Sequence, residues 1–149
     1  MQRRASGPET ARPDPLHESP GHLVRRLHQN MVAAFAQVAG DTGISNVQYA
    51  ALKAIEALGP STQRTIAEYI AMEPSNMHGL LRRLGDRGLV SIHPDQRDRR
   101  RSEIRLTQAG RAMLRRLAPL ERQVGPDFLA PLAAGEQAEF LRLLRKLVL

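Results

Sequence analysis

The chain has 149 residues and fits one domain of ordinary size. Its 42% hydrophobic and 25% charged residues exclude a disordered chain, and zero cysteines exclude a disulfide framework, a zinc-thiolate site, a cysteine nucleophile and a thiol redox sensor. The net charge of +7 is not spread evenly: residues 61–116 hold twelve bases and six acids, while residues 1–60 are at net +1 and residues 117–149 at zero. A basic excess confined to one central segment is the electrostatic footprint of a nucleic-acid binder.

In chain order, residues 1–20 carry Pro8, Pro13, Pro15 and Pro20 with few apolar residues and read as a flexible arm. Their basic start is followed by no apolar stretch, so a signal peptide is not expected. Leu23, Leu27, Met31 and Phe35 recur at helical spacing, and Gly40 and Gly43 end that helix. Ser45 and Gln48 have capping-box spacing, with Ile44 and Tyr49 placed as a hydrophobic staple. A second helix is predicted from Asn46 to Leu58, stopping at Gly59-Pro60.

Thr62 caps a predicted third helix, Gln63 to Ala71, and Glu73-Pro74 opens a fourth that ends near Arg87-Gly88. Two short helices with a tight turn form a helix-turn-helix unit. The alternating runs 89–93 and 102–106 predict a hairpin whose loop, residues 94–101, holds four arginines. Thr107 caps a long helix to about Val124, Gly125-Pro126 breaks the chain, and a last helix covers about Gly135 to Leu147. The expected fold is mainly α with a small β-wing: a winged helix-turn-helix at 61–106, flanked by helices at 21–58 and 107–149. The apolar faces of the flanking helices (Leu23, Leu27, Met31, Phe35; Leu141, Leu144, Leu147) exceed what so small a wing domain can cover. A two-fold homodimer is expected to bury them, in preference to a monomer folding them onto its own core.

Asp98-Arg99-Arg100, followed after five residues by Leu106-Thr107 and then Gly110, resembles the wing signature of the MarR family of bacterial winged-helix repressors. Residues 81–90 resemble that family's recognition-helix end, and Gln63-Arg64-Thr65-Ile66-Ala67 its first motif helix. Residues 19–26 resemble a subgroup that senses aromatic acids or their coenzyme A thioesters. The resemblance runs from about Gly21 to Leu149 and implies a cytoplasmic, DNA-bound regulator with no cofactor.

Within this reading the fourth helix enters the major groove with Ser75, Asn76 and His78 toward base edges. Gln63, Arg82 and Arg83 are placed for phosphates. Arg100 is expected in the minor groove, where narrow A·T tracts attract arginine. Arg97, Arg99 and Arg101 add phosphate contacts. Asp98 would repel phosphate, so its expected role is to fix the loop by pairing with an arginine. Effectors in the family bind between the dimer helices and the winged domain, which makes His22, Arg25, Arg26, His28 and Tyr49 the candidates for holding an aromatic carboxylate.

The five histidines form no metal-spaced set with a carboxylate, and no catalytic pair or Gly-rich phosphate loop is present, so an enzyme is not expected. The alternatives are a winged-helix protein-interaction module and a sequence-indifferent architectural DNA binder.

Overall fold

A computed structural model describes residues 15–94 and 102–149. In chain order it contains α1 (Pro20–Ala39), a single 3-10 turn (Gly40–Thr42), α2 (Asn46–Leu58), β1 (Ser61–Thr62), α3 (Gln63–Tyr69), α4 (Pro74–Asp86), β2 (Val90–Pro94), β3 (Ser102–Leu106), α5 (Gln108–Leu129) and α6 (Ala134–Val148). The strands form an antiparallel sheet in the order β1-β3-β2. β1 was not anticipated. Its two residues are too short to show alternation, and Thr62 also serves as the cap of α3, accepting from the Thr65 N–H at 3.3 Å.

Local chemistry accounts for the helix boundaries. The Ser45 hydroxyl accepts from the Gln48 N–H at 3.3 Å, and the Gln48 side chain accepts from the Ser45 N–H at 3.0 Å, which completes the capping box of α2. Ile44 and Tyr49 flank it and are both buried. α3 and α4 end in the same way. Met72 N–H reaches back to the Ala67 carbonyl, Leu89 N–H reaches back to Leu84, and the residue between cap and return is left-handed. That residue is Gly88 after α4 but Ala71, at φ 53°, after α3. The turn of the helix-turn-helix therefore holds a non-glycine residue in a conformation that favours glycine.

Ile66, Ala67, Met77, Leu80, Leu81 and Leu84 from α3 and α4 form one core with Leu52 and Ile55 of α2, Val90, Ile104 and Leu106 of the sheet, and Leu114 and Leu117 of α5. Across the hairpin Ile92 pairs with Ile104, yet Ile104 on the central strand is buried while Ile92 on an edge strand is half exposed.

Three expectations are corrected. α5 does not stop at Gly125-Pro126 but runs through both Pro119 and Pro126 to Leu129. Both prolines lie on the exposed side, while Val124 is buried, so packing holds the helix where proline costs it a hydrogen bond. Phe35 does not wait for a partner subunit: it is buried in its own chain, its ring centroid 5.4 Å from that of Tyr49. Residues 16–20, expected in a flexible arm, instead form the turn that opens α1, with Ser19 N–H bonded to the Leu16 carbonyl and Pro20 as its first residue, while residues 1–14 of that expected arm lie outside the described residues.

Thr107 and Gly110 join the wing to α5. The Thr107 hydroxyl donates to the Gly88 carbonyl at 2.6 Å and accepts from the Gly110 N–H at 3.0 Å. A Cβ at Gly110 would collide with the Leu89 carbonyl oxygen and stand 2.9 Å from Leu106 Cδ2. Because the obstacle is backbone, Gly110→Ala should cost about 3 kcal/mol in denaturant unfolding; a loss under about 0.5 kcal/mol would show that α5 can shift away freely.

Candidate nucleic-acid interface and effector cavity

α4 is amphipathic in the strict sense. Met77, Leu80, Leu81 and Leu84 are 0–2% exposed, and Ser75, Asn76, His78, Arg82 and Arg83 lie on the exposed side. Pro74 occupies the first turn, which contains no acidic residue, and no side chain caps it. Glu73 at the N-cap sets a carboxylate beside the positive end of the helix dipole, so the outward polar groups here are the side chains of Ser75 and Asn76 and not a bare helix end. Arg83 lies along Gly79, where a Cβ would meet its guanidinium at 3.5 Å, ordinary contact. That glycine leaves space but is not sterically required.

Gln63 is half-buried and its amide donates to the Pro74 carbonyl at 3.3 Å. It ties the first turn of α3 to the first turn of α4 with one amide hydrogen, and the second remains to donate to a phosphate. Arg97, Asp98, Arg99, Arg100 and Arg101 lie outside the described residues. The strands on either side of them, β2 and β3, are described.

The effector candidates are not brought together within one chain. His22, Arg25 and Arg26 border a cavity of about 450 Å³ with Leu16, Gly21 and Gln29. The His22 Nε2 is enclosed without a hydrogen-bond partner among the described residues. His28 is exposed and borders neither cavity. Tyr49 lines a different cavity, of about 520 Å³, between α2, α5 and the turn that follows α3. Ala50, Ala54 and Ala57 line it along α2, Tyr69, Ile70 and Ala71 along the turn, and Lys53 and Glu121 bring the charges.

Tyr49 donates its hydroxyl proton to Glu121 Oε2 at 2.9 Å. Burial, and then this bond, push the phenol well above its ordinary value. Lys53 and Glu121 were missed in the sequence. Lys53 could have been found: it is one of only two lysines and sits four residues after Tyr49 on α2. Glu121 could not, since only the folded chain brings it to Tyr49, 72 residues away.

A recognition helix with a buried stripe and a free polar face, followed by a hairpin on the same core, defines a winged helix-turn-helix protein. The MarR family model matches residues 42–101. The transcriptional repressor NicR of Pseudomonas putida is 35% identical over 97% of this chain and 91% of its own length. Among solved structures, Bordetella bronchiseptica BpsR, whose DNA binding is regulated by 6-hydroxynicotinic acid, superposes with a TM-score of 0.83 at 29% identity, covering 91% of this chain and 97% of that one. Streptomyces coelicolor PcaV, in complex with its natural ligand, gives 0.82 at 38% identity over 91% and 95%. The chain belongs to the MarR family: it is a DNA-binding transcriptional regulator and not an enzyme.

The raised phenol has a pH signature. Between pH 10.0 and the higher folded value the unfolded chain loses a proton that the folded chain keeps, so stability falls as pH rises through that window. Tyr49→Phe should cost about 1 kcal/mol at pH 7 and fall less steeply above pH 10 in denaturant unfolding. An unchanged alkaline slope would contradict the assignment.

Proposed function

We propose that the chain is a homodimeric repressor that leaves a pseudo-palindromic operator when a hydroxylated aromatic acid binds. In this reading residues 61–106 hold DNA, residues 21–58 and 107–149 largely hold the partner subunit, and the protein works in the cytoplasm, at the nucleoid when bound. The observation that carries it is the free polar face of α4 (Ser75, Asn76, His78), backed by a fully buried apolar stripe. Asn76 suits bidentate pairing with adenine, Arg82 and Arg83 suit phosphates, and Arg100 in the wing suits a narrow minor groove.

The dimer is supported by what one chain leaves uncovered. No residue of α6 is buried; Leu143 is 44% and Leu147 82% exposed, and Leu23 and Val24 of α1 are also open. Such apolar exposure on two terminal helices suits a second copy presenting the same surface.

The cavity at Tyr49 suits the effector. Its volume lies in the range of small-molecule sites, and its alanine floor accepts a flat ring. Lys53 offers a cation to a carboxylate, and Glu121 accepts from a ring hydroxyl beside the Tyr49 bond. That polarity matches 6-hydroxynicotinic acid, the regulator of BpsR. Tyr69, Ile70 and Ala71 form its wall and continue into α4, so an occupant presses on the turn that carries the reading helix. An effector can release DNA only by binding the DNA-incompetent arrangement more tightly.

Fluorescence anisotropy with duplex selected from a random pool tests both halves. Asn76→Ala and Arg100→Ala should each weaken operator binding about tenfold or more without lowering thermal stability. In a panel of hydroxylated aromatic acids at least one should release wild-type protein, and Lys53→Met should still bind DNA but resist release. Operator binding unaffected by Asn76→Ala, or no release by any acid of the panel, would overturn the corresponding half.

A further inference from the structure

Arg87 stands just past the end of α4, and four residues after Arg83. A second exposed cation there would repel Arg83 or add to the DNA-facing charge. It does neither. Its guanidinium turns away from the recognition surface and donates from Nη1 to the Gly43 carbonyl at 2.6 Å and from Nη2 to the Thr42 carbonyl at 2.7 Å. These carbonyls belong to the connection between α1 and α2, 44 and 45 residues back in the chain.

That connection is well suited to being gripped. Thr42 is buried, and its hydroxyl accepts from the Ile44 N–H at 3.3 Å. Gly43 takes a left-handed φ of 63°, which directs its carbonyl and Thr42's to the same guanidinium. Asp41, in the same turn, pairs with Arg116 of α5 at 3.4 Å. The short segment where α1 ends is therefore tied to α4 by one arginine and to α5 by another. The planar fork of arginine spans two adjacent carbonyls, whereas a lysine ammonium has no fixed fork.

We infer that Arg87 is a positioning residue for operator binding: it locks the C-terminal end of the recognition helix to the end of α1, and so sets the separation and tilt of the two recognition helices without touching DNA. The inference rests on the homodimeric DNA-binding reading above. In a dimer held through its terminal helices, the recognition helices are placed by whatever joins α4 to α1. A two-fold protein reads two half-sites at a fixed spacing of ~34 Å. Slack at this joint therefore costs affinity for the correct spacing and discrimination against wrong ones, while leaving each phosphate contact intact.

The test uses the full chain and three duplexes: the selected operator, the same operator with one base pair added between half-sites, and unrelated DNA. Arg87→Ala should bind the operator about tenfold more weakly. It should discriminate less between the two spacings, and keep the wild-type affinity for unrelated DNA. Its dependence of log affinity on log salt should match wild type, because no phosphate contact is lost; a direct phosphate contact would lower that slope by about one. Arg87→Lys should fall between the two proteins, and it decides the matter if Arg87→Ala does not fold. Wild-type affinity and wild-type spacing discrimination in the variants would overturn the inference, as would a shallower salt slope. Failure of the wild-type protein to bind any selected duplex would instead overturn the DNA-binding reading itself.

Discussion

The constraint on which the structure turns is the complete burial of one stripe of α4. Met77, Leu80, Leu81 and Leu84 have no alternative partner: they sit in the middle of a core made by α2, α3, the sheet and α5. Once that stripe is fixed, helical geometry obliges Ser75, Asn76, His78 and Arg82 to face outward. Specificity for a partner is thus a by-product of packing. The helix cannot rotate to hide its polar face without exposing four large side chains, at about 1.5–3 kcal/mol each.

The elements around α4 are joined by a few polar contacts that connect its ends to the rest of the chain. At its start Gln63 reaches the Pro74 carbonyl. At its end Gly88 turns left-handed, Thr107 bonds the Gly88 carbonyl, and Arg87 reaches back to the segment that closes α1. The cavity at Tyr49 adjoins the remaining connection, the turn at Ala71, where the backbone already stores strain. In the proposed function, helix position, wing attachment and effector response are therefore coupled through contacts at the helix ends, in a frame whose apolar interior is close-packed.

Much of this was legible in the sequence where the signal is local. The Ser45–Gln48 capping box, the Thr62 and Thr107 caps, Pro74 at the first position of α4 and the glycine at its end are each read from a few adjacent residues, and each appears where expected. What could not be read depends on distant partners. Pro126 signals a break, but α5 is held through it by packing of Val124 that no local pattern announces. Phe35 looks like an interface residue until Tyr49 is found beside it. Glu121 and Arg87 resemble ordinary surface charges, and acquire their roles from residues 72 and 44 positions away. The exposed side chains of α4 proposed to read DNA were legible for the opposite reason: exposure on an amphipathic helix follows from its period alone.

The central claim is that two such helices, related by a two-fold axis, read DNA together. Hydroxyl-radical footprinting of the protein on its selected duplex tests it most directly. Two protected tracts should appear on one face of the helix, symmetric about a dyad, with their centres ~10 base pairs apart. A single protected tract, or uniform protection along duplexes of any sequence, would contradict it.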